Sequence, residues 1–96
     1  MKITNFIHKG LQRLYSEDNA KGVPPDTVGK LRKMFAFLDA MNDADELRAL
    51  TAWKPHKLSG NRKGTVSLSV TRNRRLTFRI YTAEQEICDV NLEDYH

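Results

Sequence analysis

The sequence predicts a single domain of the α+β class, with N-terminal helices packed on one face of a small, mainly antiparallel sheet. Its length of 96 residues suits one modest hydrophobic core. Apolar residues recur at helical spacing in the first half of the chain and alternate with polar residues in the second half. Because no repeat, low-complexity run or linker interrupts this pattern, residues 1–96 are expected to form one domain.

The first half predicts one short strand followed by helices. Residues 3–7 form the strand, and a first helix carries apolar residues at helical spacing: Ile7, Leu11, Leu14 and Tyr15. A second helix begins near Pro25, where a missing N–H costs nothing. Its apolar stripe is expected to lie in the core: Val28, Leu31, Phe35 and Leu38. Asp43 and Glu46 then resemble a capping pair before a short helix.

The second half predicts three strands. Residues 65–71 and 75–81 each alternate apolar and polar side chains, and the link TRNRR (71–75) is short enough for a hairpin. A third strand is expected to point Cys88, Val90 and Leu92 inward. The outer face would carry Arg75 and Arg79 beside hydroxyl groups that we expect to be ordinary solvent-exposed side chains: Ser67, Ser69 and Thr77.

Positive charge is concentrated in one block of the chain. The net charge is +4, but residues 52–83 contain eight Lys or Arg and no acid, whereas residues 84–96 contain five acids and no Lys or Arg. Such a block is typical of a protein that binds a polyanion. A single cysteine excludes an internal disulfide, and the N-terminal segment matches neither a signal peptide nor a membrane span. We therefore expect a cytoplasmic protein without membrane association.

The loop WKPHKLSGNRKG (53–64) and the terminal NLEDYH (91–96) hold the residues best suited to chemistry. The loop brings His56 among cations that could bind phosphate: Lys54, Lys57, Arg62 and Lys63. The chain ends on a carboxylate, a phenol and an imidazole: Asp94, Tyr95 and His96. Side chains of these types handle protons, which general acid–base catalysis requires.

Other chemistries find no support in the sequence. The His, Cys and Asp residues do not follow metal-ligand spacing, and Cys88 lies in a predicted strand without an adjacent base. The loop glycines fit no nucleotide-binding fingerprint. What remains is acid–base chemistry with cationic stabilisation, and RNA cleavage through the 2′-OH needs only that. No cofactor is expected.

Several motifs together resemble the HigB branch of the RelE-like toxins of bacterial type II toxin–antitoxin systems. They are the FIHKGL segment (6–11), the GVP segment (22–24), the LSGNRKG loop (58–64), the RLTF strand segment (75–78) and the terminal DYH (94–96). The combination spans nearly the whole chain. One departure is Arg74, which stands where members often carry a bulky aromatic residue.

The resemblance implies a RelE-like fold and a cofactor-independent ribonuclease that cuts messenger RNA in the decoding site of the ribosome. The family's functional positions map onto His56, Arg75, Asp94, Tyr95 and His96. The two histidines would share proton transfer, Asp94 would orient a histidine or act as the base, Tyr95 would position a nucleotide, and Arg75 would clamp the reacting phosphate. Backbone phosphates of RNA would be bound by the cations Lys54, Lys57, Arg62, Lys63 and Arg79.

The resemblance also implies a partner: an antitoxin of the helix-turn-helix kind (HigA-like), from the same operon. Two other functions fit the same sequence. ParE-like proteins share the architecture but poison DNA gyrase, and a non-catalytic RNA-binding module would carry the same basic block. The terminal Asp94, Tyr95 and His96 together with His56 favour the nuclease.

Overall fold

The sheet is the frame that positions the rest of the chain, and in the computed structural model it has five strands. The structure describes residues 1–94. The strands are β1 (Lys2–Ile3), β2 (His56–Lys57), β3 (Thr65–Thr71), β4 (Arg74–Tyr81) and β5 (Glu86–Asp94). Their order is β1-β5-β4-β3-β2, with β1 parallel to β5 and the remaining neighbours antiparallel. The predicted α+β class with a mainly antiparallel sheet is confirmed.

Two α-helices cover the apolar face of the sheet. They are α1 (Lys9–Glu17) and α2 (Val28–Ala40), and α2 is preceded by a 3-10 turn at Pro25–Thr27. Leu31, Phe35 and Leu38 of α2 are buried as their spacing predicts. They join the inward side chains of the central strands in one core: Val66, Leu68, Val70, Leu76 and Phe78. None of the helices within residues 1–94 is long and apolar enough to cross a membrane.

The N-terminal strand is shorter than predicted, and Ile7 does not belong to the stripe of α1. Ile7 is 61% exposed, because α1 begins only at Lys9. His8 caps this helix: the Leu11 N–H donates to Nδ1 of His8 at 3.1 Å. The helix begins after His8 because this residue has an extended backbone and a side chain that accepts a hydrogen bond from the first turn.

The segment between α2 and the sheet consists of short 3-10 helices. Asp43 and Glu46 form the predicted capping box, but the helix that follows, Ala44–Ala49, is of the 3-10 type. Another 3-10 turn occupies Thr51–Trp53, and one more, Gly60–Arg62, lies further on between β2 and β3. Trp53 packs edge-on against Phe37 of α2, with ring centroids 5.9 Å apart, and so anchors the start of the loop.

The inward pattern predicted for the third strand is wrong at Cys88. Between Thr77 and Arg79 the pairing of β4 with β5 shifts by one residue, and Asp89 in β5 adopts a positive φ of 56°. The N–H of Asp89 donates to Oδ1 of Asn5, which holds the irregularity in place. Ile87 and Val90 are therefore the fully buried residues of β5, while Cys88 is partly exposed with its Sγ 2.9 Å from Thr4 Oγ1.

Candidate active site

A hollow of the described chain lies on the polar face of the sheet, beneath the loop that follows Trp53. Its volume is about 770 Å³. It is lined by residues of the loop, of three strands and of the end of β5: Lys54, Pro55, His56, Leu58, Arg62, Ser67, Arg75, Thr77, Glu93 and Asp94. Five of the predicted site residues are thus brought together: Lys54, His56, Arg62, Arg75 and Asp94.

His56 is positioned by strand pairing. It lies opposite Ser67 in the antiparallel pair of β2 and β3, and Leu58 N–H donates to the Thr65 carbonyl oxygen at 2.9 Å just beyond. Lys54, with a positive φ of 49°, turns the chain into β2. Because directly opposite residues of an antiparallel pair point to the same face of the sheet, His56 shares the polar face with Ser67. Its imidazole is exposed to solvent in the hollow.

Arg75 is oriented by the turn that joins β3 to β4. Its Nη1 donates to the carbonyl oxygens of Thr71 at 3.0 Å and of Arg74 at 3.1 Å. The turn backbone therefore fixes the plane of this guanidinium at one side of the hollow. In the sheet, Arg75 lies between Ser69 of β3 and Glu93 of β5.

Asp94 is paired with Arg74, the residue that departs from the resemblance. The two are cross-strand partners in the register of β4 and β5, and Nη1 of Arg74 donates to Oδ1 of Asp94. The Asp94 side chain is 62% exposed, so the carboxylate remains accessible to a ligand in the hollow. Arg74 thus gives the side-chain carboxylate of Asp94 a cationic neighbour on the adjacent strand.

Glu93 lies on the floor of the hollow, and the sequence offered no sign of its role. Both oxygens of its carboxylate accept from Arg62, with Nη1 to Oε1 at 2.9 Å, and the Thr77 hydroxyl donates to Oε2. The hydrogen bonds from Arg62 are the main reason that the pKa of Glu93 lies below its usual range, and the one from Thr77 adds to them; partial burial opposes both. Glu93 is therefore ionised at neutral pH.

The floor of the hollow is less exposed than predicted. Ser67 is 8% exposed and Thr77 is 4% exposed, so the expectation of ordinary solvent-exposed side chains is wrong for both. The loop between Trp53 and Thr65 folds back over this part of the sheet and converts an open face into a concave one. The hollow therefore has hydroxyl groups of Ser67 and Thr77 at its floor and cationic side chains around them.

The remaining predicted residues lie elsewhere. Lys57 lines a second hollow of about 300 Å³, next to Val66 and Ile80 on the other face of β3 and β4. Arg79 of β4 donates to the carbonyl oxygen of Lys63, at the end of the loop, at 3.2 Å, and neither residue lines the main hollow. The predicted site residues Tyr95 and His96 lie outside the described residues.

The arrangement suits acid–base chemistry on a phosphate ester. An accessible imidazole, a carboxylate and two arginines converge from separate elements on one concave surface. Cations in such a hollow stabilise negative charge that develops during a reaction. Within residues 1–94, no three His, Cys, Asp or Glu side chains are grouped so that they could hold a metal ion.

This fold and this hollow define a small α+β protein whose concave surface carries an imidazole, carboxylates and cationic side chains. Comparison with known families is specific: the model of the HigB-like toxins, described as "RelE-like toxin of type II toxin-antitoxin system HigB", matches residues 4–96. The chain belongs to this family, as its motifs predicted. An antitoxin is accordingly its partner.

A curated relative agrees with this assignment, and two solved structures share the fold. Endoribonuclease HigB of Proteus vulgaris is 34% identical over 94 residues, which cover 98% of this chain and 99% of the relative. The YoeB–YefM complex of Staphylococcus aureus contains a chain with a TM-score of 0.62 at 22% identity, covering 100% of this chain and 97% of that one. The YoeB/ParE toxin of Agrobacterium tumefaciens gives 0.57 at 16% identity, covering 97% and 99%. At these identities the two structures establish the fold alone.

Proposed function

We propose that this toxin is a ribosome-dependent messenger RNA endonuclease that cleaves through attack of the 2′-OH, without a cofactor, in the cytoplasm. The class, a type II toxin with endoribonuclease activity, follows from the family and from the relative in Proteus vulgaris. The ribosome dependence and the chemistry are the proposal. The observation that supports the chemistry most directly is the convergence of His56, Arg75 and Asp94 in one hollow.

The reaction transfers two protons, forms one P–O bond and breaks another. A base removes the 2′-OH proton, the 2′ oxygen bonds to the adjacent phosphorus, and the bond to the 5′ oxygen breaks as an acid protonates that leaving oxygen. The products are a 2′,3′-cyclic phosphate and a 5′-OH. His56 and His96 supply the acid and the base in this proposal. Asp94 orients one of them or is itself the base, and Tyr95 positions a nucleotide.

The cations divide into two sets by position. Arg75, Arg62 and Lys54 line the hollow and would hold the reacting strand, with Arg75 on the phosphate that gains charge. Three others lie outside that lining and would bind backbone phosphates of messenger or ribosomal RNA: Lys57, Lys63 and Arg79. The antitoxin in this proposal is a helix-turn-helix protein of the HigA kind.

The test is cleavage of messenger RNA on translating ribosomes, read by mapping new 5′ ends. Loss of a general acid or base typically costs about 10²- to 10⁴-fold, so His56→Ala and His96→Ala should each nearly abolish cleavage while leaving the fold intact. His8→Asn is a matched control, because His8 caps α1 away from the hollow and asparagine can replace its acceptor. Wild-type cleavage by a folded, ribosome-bound His56→Ala variant would refute the proposed site.

The same assay separates the other functions that the sequence allows. A gyrase poison would leave messengers uncut and produce DNA breaks that depend on gyrase. A non-catalytic RNA-binding protein would respond to Asp94→Asn only by binding RNA more tightly, since a carboxylate near phosphates weakens binding. A nuclease should instead lose turnover in this variant.

A further inference from the structure

The contact between Arg62 and Glu93 shows a phosphate-binding group already occupied by a carboxylate of the same chain. The guanidinium fork of Arg62 holds both carboxylate oxygens of Glu93, and the Thr77 hydroxyl orients the carboxylate from below. A planar guanidinium binds carboxylate and phosphate oxygens in the same two-point geometry. Glu93 therefore fills the position that an RNA phosphate would take on Arg62.

The two partners differ in how firmly the backbone holds them. Glu93 lies in β5, paired with Arg75 of β4, and its side chain is 27% exposed. Arg62 ends a three-residue 3-10 turn between Gly60 and Gly64, both at positive φ, and its side chain is 48% exposed. An exchange of partners is therefore more readily made by movement of Arg62 than of Glu93.

We propose that Glu93 is a built-in counter-ion that occupies Arg62 in the free toxin and that a backbone phosphate of RNA must displace. This inference rests on the proposed function, because it takes the polyanion in the hollow to be RNA. Displacement leaves the Glu93 carboxylate without its cation. The net free energy of RNA binding is therefore less favourable than the contact between Arg62 and the phosphate alone would give. Glu93 thereby weakens the binding of RNA that does not also engage other parts of the toxin.

A purely structural reading makes a different prediction. If the ion pair serves only to fasten the loop to β5, removing the Glu93 charge should loosen the loop and leave RNA affinity unchanged or lower. If Glu93 competes with phosphate, the same change should raise affinity. Stability falls in both cases, so RNA binding is the measurement that distinguishes them.

The experiment measures binding of the full chain to a single-stranded RNA carrying 2′-O-methyl groups, which prevent cleavage, across a series of salt concentrations. Because the free energy of a partly exposed ion pair is small, Glu93→Gln should tighten RNA binding by only about two- to five-fold. The slope of log affinity against log salt should steepen by roughly 0.7, the value for one more uncompensated phosphate contact on a single strand. Glu86→Gln is the matched control, since Glu86 lies at the other end of β5, outside the lining of the hollow, and loses the same charge.

A second variant pair tests the coupling. In the Arg62→Gln background, Glu93→Gln should gain much less affinity, because the competing contact is already gone. Glu93→Asp keeps the charge but shortens the side chain, so it should give a smaller gain than Glu93→Gln and in the same direction. Thermal unfolding identifies the folded variants, and either of these two substitutions of Glu93 suffices for the test.

Three results would overturn the inference: no gain in affinity for folded Glu93→Gln, an equal gain for Glu86→Gln, or an undiminished gain without Arg62. These outcomes are separate from those for the proposed function. A toxin that cuts messengers but shows no gain at Glu93 refutes only the counter-ion. A toxin that leaves messengers uncut but shows the coupled gain refutes only the proposed reaction.

Discussion

The substitution Gly10→Ala tests the contact that joins the start of α1 to the segment before α2. A Cβ at Gly10 would lie 2.0 Å from the carbonyl oxygen of Gly22 and 2.6 Å from its carbonyl carbon. Ordinary contact begins at 3.4 Å, so the two backbones must separate by more than an ångström. Because the obstacle is backbone, no side-chain rotation can relieve it.

The expected cost follows from overpacking a buried contact. Forcing extra carbon into a close-packed site costs about 1–3 kcal/mol. In a domain of this size each kcal/mol lowers the midpoint of thermal unfolding by roughly 4–8 °C. Gly10→Ala should therefore lower the midpoint by about 4–24 °C, measured by circular dichroism at neutral pH.

Gly29 provides a control for the same chemical change in the same chain. No heavy atom lies within 4 Å of a Cβ built at Gly29, which is in the first turn of α2. Alanine exceeds glycine in helix propensity by up to about 1 kcal/mol, so Gly29→Ala should raise the midpoint by a few degrees. A Gly10→Ala variant as stable as the wild type, or shifts of the same sign at both sites, would refute the packing argument.

Three further predictions concern stability. His8→Ala should lower the free energy of unfolding by about 1 kcal/mol in urea titrations, and His8→Asn by much less, because only alanine removes the cap of α1. Burial, with a hydrogen bond to Asp39, raises the pKa of Tyr15 to about 12 from the ordinary 10.0. The stability that Tyr15 contributes is present below pH 10 and lost as pH rises through 12, so a late tyrosine step should appear in alkaline titration and vanish in Tyr15→Phe. The pKa of Glu93 is lowered from 4.5, chiefly by the hydrogen bonds from Arg62. Its contribution, at most about 1 kcal/mol, is present above pH 4.5 and lost as pH falls further, so Glu93→Gln should flatten the acid side of the stability curve.

Each of these has a contrary result. Equal losses for the two His8 variants would show that the imidazole is not acting as a cap. A titration that lacks the late tyrosine step would contradict the environment of Tyr15. Parallel acid-stability curves for Glu93→Gln and the wild type would show that the carboxylate pair contributes nothing measurable.

The regular parts of the fold could be predicted from the sequence because each follows from local periodicity. The stripe of α2 and the alternation in β3 and β4 appear in the structure as expected. The exceptions arise from contacts between distant segments. Ile7 was misassigned because His8 caps α1, and Cys88 was misassigned because the register of β5 shifts against β4.

The candidate site could be predicted only as far as residue chemistry and charge reach. His56 and Asp94 were proposed for their side chains and Arg75 from the family resemblance, and the structure brings all three into one hollow. Glu93 was missed because it is one of several C-terminal acids in the sequence. Glu93 differs from the other acids in its contacts with Thr77 and Arg62. These residues are distant in the sequence, so no local sequence pattern indicates the contacts.

Asp89, with its positive φ, determines which side chains of the second half of β5 point to the polar face of the sheet. Had the alternation that begins with Ile87 in the core run on unbroken, Glu93 would point among the helices and Leu92 would lie on the polar floor. One inserted position reverses the phase of the strand and delivers a carboxylate where catalysis is proposed. Inserting or deleting a single residue near Asp89 would therefore exchange the inward-facing and outward-facing side chains of the rest of β5, up to Asp94, without altering any of those side chains.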